Sequence, residues 1–165
     1  MNLLGAMILW VACLPVHVGV AVLKFPLAPV AVYGFSTEDK KHLETPFQWL
    51  ETTDNDLGGD YGWQHEHIEP GSDPYSDWNR VGWLWRNGGH AVNYGLLGID
   101  AEPVPDFSRG LNVRDDGFWL YRNGFPISDT ESLEVFWGWH IYGIVGGRNK
   151  YVFTTRIKQT DKLGF

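Results

Sequence analysis

Residues 3–23 of the chain read LLGAMILWVACLPVHVGVAVL, a run of apolar and small residues without a formal charge. About twenty apolar residues are enough for a helix to cross the hydrocarbon core of a bilayer. The run therefore predicts a helical membrane anchor. Pro15 would kink such a helix without forbidding it, because proline is tolerated in helices within membranes. Any function of the remaining chain is then expected at a membrane surface.

Three other interpretations of this apolar run stay open. A re-entrant hairpin would have its arms at residues 3–14 and 18–33. A cleaved signal peptide would end near Ala21, and a lipoprotein signal would use Cys13. Both signals normally begin with a basic segment, which the two residues before the apolar run do not supply. The retained anchor is therefore the preferred interpretation.

The predicted domain organisation is a membrane anchor over residues 1–35 and a single aromatic-rich domain over residues 36–165. The chain contains 9 Trp, 7 Tyr and 9 Phe, which is enough bulky apolar surface to build one compact core. Cys13 is the only cysteine and lies in the apolar run. The predicted domain thus has neither a disulfide nor a thiolate metal site.

Charge is distributed unevenly along the chain, whose formal net charge is -7. Acidic residues dominate between Ser36 and Asn79, and no basic stripe balances them. This composition argues against a nucleic-acid partner. The basic residues that follow the apolar run are Lys24, Lys40 and Lys41. Because positive flanks favour the cytoplasmic side, the domain is predicted to face the cytoplasm, with the lipid bilayer as its partner.

The rest of the chain predicts an α+β fold, with helices first and a sheet last. Residues 77–98 have helical spacing that is interrupted at Gly88-Gly89, and Trp78, Val81 and Trp85 are predicted to face the core.

From Leu111 onward the pattern changes to that of strands. Alternating apolar residues over 133–141 predict a strand whose core face carries Leu133, Val135, Trp137 and Trp139. Turns are predicted at residues 116–117, 123–124 and 146–149. The prediction is an antiparallel β-meander of about four strands.

Two groups of residues are candidate sites. The first is a ligand or ion-pair site that combines a polar loop with one helix stripe: Asp54, Asp60, Trp83, Arg86, Asn87 and His90. A guanidinium there would bind a phosphate or carboxylate, or would pair with a loop aspartate and stack on Trp. The second is a metal site of His65, His67 and Asp60, which requires a strand to bring the two histidines to one face. No cofactor motif and no catalytic triad is recognisable.

Several segments resemble a family of small tailed-bacteriophage proteins that have a hydrophobic N-terminus. These segments are TPFQWL at 45–50, TDNDLGGDYGW at 53–63, RVGWLWRN at 80–87, Tyr94-Gly95, Gly138-Trp139 and FTTR at 153–156. The resemblance covers most of the chain and implies a viral origin without a particular reaction.

The expected function is that of a membrane-anchored phage accessory protein, which acts by binding at the host inner membrane. Its domain would lie in the cytoplasm, with the bilayer and a host membrane protein as partners and no cofactor. Two alternatives stay open: a membrane-tethered metal-dependent hydrolase, and a minor virion or injected component.

Overall fold

The computed structural model describes residues 1–100, 109–145 and 148–160. The chain forms two compact units: a sheet unit of Met1–Pro15 with Leu97–Phe165, and a helical unit of Val16–Leu96. One long helix, α1 (Leu3–Gly34), contributes its first part to the sheet unit and its second part to the helical unit. The predicted division into an anchor and a domain at residue 35 stays a prediction, whereas the boundary between the two units falls inside α1.

The helical unit continues from α1 with four short elements. They are a 3-10 turn at Gln48–Leu50, α2 (Tyr61–His67), α3 (Asp77–Asn87) and α4 (His90–Gly95). The predicted interruption of the helix over residues 77–98 is confirmed. Gly89 separates α3 from α4 with a φ of 86°, in the left-handed region that glycine adopts without steric cost.

The core of the helical unit is aliphatic and includes one face of the second half of α1. Its buried members are Ala28, Ala31, Val32, Leu43, Leu50, Leu57, Val81 and Leu84. The predicted core face of α3 is only partly correct. Val81 is buried, but Trp78 is 64% exposed and Trp85 is half-buried. The buried side of α3 instead carries Arg80, Val81, Trp83 and Leu84, because α3 turns Val81 and Leu84 towards the aliphatic cluster.

The sheet unit contains a five-stranded antiparallel sheet, which confirms the α+β fold. The strands are β1 (Ile99–Asp100), β2 (Gly110–Val113), β3 (Trp119–Pro126), β4 (Glu131–Val145) and β5 (Arg148–Gln159). They lie in the order β1-β5-β4-β3-β2. Strands β2 to β5 form the predicted meander.

The predicted turns have different outcomes. The turn at Asp116-Gly117 is confirmed, since the Gly117 amide donates to the Arg114 carbonyl. The turn at residues 123–124 is wrong: Asn123 and Gly124 pair with Val135 and Glu134 inside the β3–β4 ladder. The first half of the turn predicted at 146–149 lies outside the described residues, and its second half opens β5.

The predicted strand over residues 133–141 lies within β4, and alternate residues do share a face. On that face Val135 and Trp139 are buried, while Leu133 and Trp137 are half-buried. The side chain at position 141 is outside the described part of the structure.

Trp10 of α1 covers this face of the sheet. Its indole lies 5.3 Å from the ring of Trp119, 5.7 Å from Tyr151 and 5.7 Å from Phe153, between ring centroids. Its N–H donates to the Val152 carbonyl at 3.2 Å, and the Tyr151 hydroxyl donates to the Trp10 carbonyl at 3.0 Å. The first half of α1 is therefore part of the aromatic core of the sheet unit.

Candidate functional site

The two predicted loop aspartates have different environments. Asp60 is the N-cap of α2, where its carboxylate accepts a hydrogen bond from the Trp63 amide at 2.7 Å. This is the ordinary role of aspartate at a helix start. Asp54 is exposed and lines a surface cavity of about 500 Å³ together with His42, Glu51 and neighbouring loop residues. Asp60 is not among the residues that line this cavity.

Asp56, which lines the same cavity, also stabilises the loop. Its carboxylate accepts a hydrogen bond from the Tyr75 hydroxyl at 2.8 Å and another from the Gly58 amide at 2.9 Å. The hydrogen bond to Asp56 raises the pKa of Tyr75, and burial adds to this effect. The Asp56 carboxylate thus holds the loop in place.

Arg86 pairs with α2 rather than with a loop aspartate. Its guanidinium lies 3.7 Å from the Glu66 carboxylate and 5.7 Å from the centre of the Trp63 ring. The predicted pairing of Arg86 with a loop aspartate is therefore wrong, whereas a stacking contact with Trp is present. The side chain is 47% exposed, and an exposed pair of this kind contributes at most about 1 kcal/mol.

The other members of the predicted stripe are spread around α3 and α4. Trp83 is buried, with its ring 5.9 Å from that of Trp63. Asn87 is the last residue of α3, and His90 is the first of α4; both are half-buried. The stripe therefore combines a core tryptophan with partly exposed polar side chains.

The predicted metal ligands do not meet the condition on which that prediction depended. Residues 61–67 form a helix rather than a strand, so His65 and His67 do not point to one face. The His65 ring stacks on Tyr61, and the His67 ring lies 4.4 Å from that of Trp63. Within residues 1–100, 109–145 and 148–160, no three His, Cys, Asp or Glu side chains are grouped to hold a metal ion.

The buried charged side chains were not among the predicted site residues. Arg80 is 2% exposed and donates hydrogen bonds of 2.6 Å to Asp77 and to the Ser36 hydroxyl. The only sequence signal for this arrangement was the spacing of three residues between Asp77 and Arg80 on one helix. The contact with Ser36 joins positions far apart in the sequence and has no local signature.

A second group of buried charges lies in the sheet. Glu134 on β4 is 1% exposed and accepts hydrogen bonds from Arg122 on β3 and Arg156 on β5, at 2.9 and 2.8 Å. Burial would raise the pKa of Glu134, but the two guanidinium groups outweigh it and hold the pKa below its usual range. The carboxylate is therefore ionised, and its charge is balanced within the sheet.

The clearest candidate interaction surface is the outer face of α1, all of which belongs to the described part of the chain. We use this name for the exposed positions that recur every three or four residues along the helix: Leu4, Ile8, Val11, Pro15, Val18, Val22, Pro26, Val30 and Tyr33. A spacing of three and four residues places them on one side of an α-helix. The face carries no charged residue.

The two basic side chains of α1 point away from the outer face and make contacts within the helical unit. His17 Nδ1 lies 3.0 Å from Asn93 Oδ1, and Lys24 Nζ donates to the Arg86 carbonyl at 3.4 Å. A helix on the surface of a soluble protein normally shows the opposite pattern, with its polar residues towards water. The exposed side of α1 is thus the more apolar one.

The helical unit also supplies a hydrogen-bond donor to a carbonyl of α1 that lacks its usual helical partner because of a proline. Pro29 has no N–H, so it cannot donate the usual helical hydrogen bond to the carbonyl of Phe25. The Trp85 indole N–H donates to this carbonyl instead, at 3.0 Å. Phe25, Trp85 and Trp78 then form a row of aromatic rings, with centroids 6.3 and 5.4 Å apart. Phe25 and Trp78 are exposed.

By its length and composition, α1 is the one helix among the described residues that qualifies as a membrane span. Signal sequences and buried core helices share this length and composition, which are weakly consistent with membrane association.

The chain belongs to a family of unknown function, DUF7338, which it matches over residues 1–162. No curated protein and no solved structure matches it.

Proposed function

We propose that this protein is a membrane-associated binding protein whose contact with the bilayer is the outer face of α1. The observation that carries the proposal is the uncharged, exposed apolar face of a helix whose basic side chains are turned inward. Water exposure of so many large apolar side chains in one contiguous row is unfavourable, and such patches mark membrane or protein contacts. Lipid is the partner that fits a face without any charged group and with a single hydroxyl, that of Tyr33, at its end.

We further propose that the protein is a phage accessory protein that acts at the host inner membrane by binding a host membrane protein. The support is the resemblance of its segments to tailed-phage proteins and the basic pair Lys40-Lys41 after α1. Expression in bacteria should give a protein in the inner-membrane fraction that added protease reaches only after spheroplasts are lysed. Digestion in intact spheroplasts would contradict the cytoplasmic placement. The alternatives, a metal-dependent hydrolase and a virion component, have no specific observation in their favour.

Flotation of the full-length protein with lipid vesicles tests the contact with the bilayer. The informative variant carries Ile8→Glu and Val22→Glu, which place two charges on the outer face. Its matched control carries Ile157→Glu and Leu96→Glu, at apolar positions of similar exposure outside α1. The unchanged protein and the control should float, while the outer-face variant should remain with the soluble fraction.

All three proteins should show the same far-ultraviolet circular dichroism, because the four substituted side chains are exposed. Flotation of the outer-face variant to the same extent as the control would contradict the proposal. Failure of the unchanged protein to float would contradict it as well.

A further inference from the structure

We propose that α1 lies in the plane of the membrane surface, with its outer face in contact with lipid, and does not cross the bilayer. This inference rests on the proposed function and specifies its geometry. In this geometry the inner side of α1 packs against the rest of the protein, its outer face contacts lipid, and the helix is not a spanning anchor.

The length of α1 fits a surface position. Its 32 residues correspond to about 48 Å at 1.5 Å per residue, whereas the hydrocarbon core is about 30 Å thick. Apolar positions are exposed from Leu4 at one end of the helix to Tyr33 at the other. A spanning helix would leave about a third of this exposed apolar row in water or among head groups. A helix in the plane places the whole row at one depth.

The inner side of α1 contacts material that does not belong in hydrocarbon. Any stretch of about twenty residues within α1, the length of a span, includes either Trp10 or both His17 and Lys24. Trp10 is hydrogen-bonded to β5, in an open sheet whose edge strands are β1 and β2. Open sheet edges do not occur in the hydrocarbon region, since their backbone groups would lack partners.

Charged side chains in the sheet and in the helical unit also oppose a position in hydrocarbon. The sheet contains the ionised Glu134 with its two arginines, and Lys24 is bonded to the backbone of α3. Moving such groups into the bilayer centre costs several kcal/mol for each charge. Insertion of α1 across the bilayer would therefore require at least one half of the helix to leave the core in which it is packed.

The outer face fits lipid better than a second copy of the chain. Paired helices need side chains that interlock as knobs into holes, and Pro15 and Pro26 both lie within the exposed row. Fluid acyl chains need no such complementarity. The exposed rings of Phe25 and Trp78, joined by Trp85 at the flank of α1, are of the aromatic type that is enriched at the membrane–water interface.

A depth measurement tests the orientation in the full-length protein. Cys13→Ala removes the only cysteine, and Leu4→Cys, Val18→Cys or Tyr33→Cys then introduces one labelling site at the start, middle or end of the outer face. Each labelled protein is bound to vesicles of phosphatidylethanolamine and phosphatidylglycerol, and the depth of the fluorophore is measured with lipids that carry quenchers at different carbons. Ile157→Cys, exposed on β5, is the control outside α1.

We expect the three outer-face labels to be quenched at the same shallow depth, roughly 5–10 Å into the boundary between head groups and acyl chains, and the Ile157 label not to be quenched. A label at Val18 near the bilayer centre, with those at Leu4 and Tyr33 near the two surfaces, would overturn the in-plane orientation and leave the proposed membrane contact intact. Floated protein with no quenching at any of the three sites would overturn the assignment of this face to lipid. Protein that does not float would overturn both proposals.

Discussion

Replacement of Trp10 by alanine should destabilise the sheet unit by about 4 kcal/mol. Trp10 is 8% exposed, and a buried tryptophan removes about 200 Å² from water. At about 25 cal/mol per Å², this area corresponds to roughly 4–5 kcal/mol. Large-to-small aromatic substitutions in cores cost about 3–5 kcal/mol. The indole hydrogen bond to Val152 adds to the loss, since the carbonyl is left without that partner.

Urea unfolding of the full-length protein in mild detergent, followed by near-ultraviolet circular dichroism, measures this loss. The aromatic signal reports on the cluster of Trp10, Trp119, Tyr151 and Phe153. Trp78→Ala is the matched control, because Trp78 is mostly exposed and its removal should cost less than about 1 kcal/mol. A loss of under about 1 kcal/mol for Trp10→Ala would refute the view that α1 completes the core of the sheet.

Three further predictions concern charged groups and are checked by the same unfolding measurement. Arg80→Ala should cost about 2–3 kcal/mol, because the buried side chain loses its packing and its hydrogen bonds to Asp77 and Ser36. The half-exposed Arg86→Ala should cost at most about 1 kcal/mol, and equal losses would contradict this ranking. Glu134→Ala should also cost about 3–5 kcal/mol, because the mostly buried Arg122 guanidinium loses this carboxylate, and a smaller loss than that of the more exposed Arg156→Ala would contradict it. Burial, with Lys150 and Arg122 nearby, lowers the pKa of His140 from 6.5 to about 4. Between pH 7 and pH 5, His140 therefore becomes protonated in the unfolded chain but stays neutral in the folded one. The free energy of unfolding should fall by about 2 kcal/mol over this range. His140→Asn should remove most of this fall, and an unchanged pH dependence would contradict the assignment.

The elements with strong local periodicity were predictable from the sequence. The uncharged run of residues 3–23 became the first two-thirds of α1 (Leu3–Gly34), and the alternation around Trp137 became part of β4, because side-chain period is a property of the local backbone. Gly88-Gly89 likewise ended α3 where the sequence indicated. The sequence also indicated which side of α1 faces the protein. His17 and Lys24 are seven residues apart, so they lie on the same side of a helix, and they are its basic side chains.

Features that depend on distant partners were not predictable. Asn123-Gly124 is a strong turn signal, but pairing with β4 extends β3 through it. The buried arginine of α3 is Arg80 rather than Arg86, because Ser36 lies beside Arg80. The loop aspartates were expected to bind Arg86, yet Asp56 and Asp60 satisfy backbone and hydroxyl donors in their own neighbourhood. Local hydrogen bonds of Asp compete with more distant partners in this way.

The most direct test of the membrane contact is site-specific photocrosslinking from the outer face of α1. A photoreactive amino acid is placed at Val22 in the full-length protein, expressed in bacteria and activated by light, and the product is identified by mass spectrometry. The same residue at Leu96, which is exposed outside α1, is the control. We predict a lipid adduct at position 22 and none at position 96. Crosslinks from position 22 to protein alone, or to a second copy of the chain, would contradict the account.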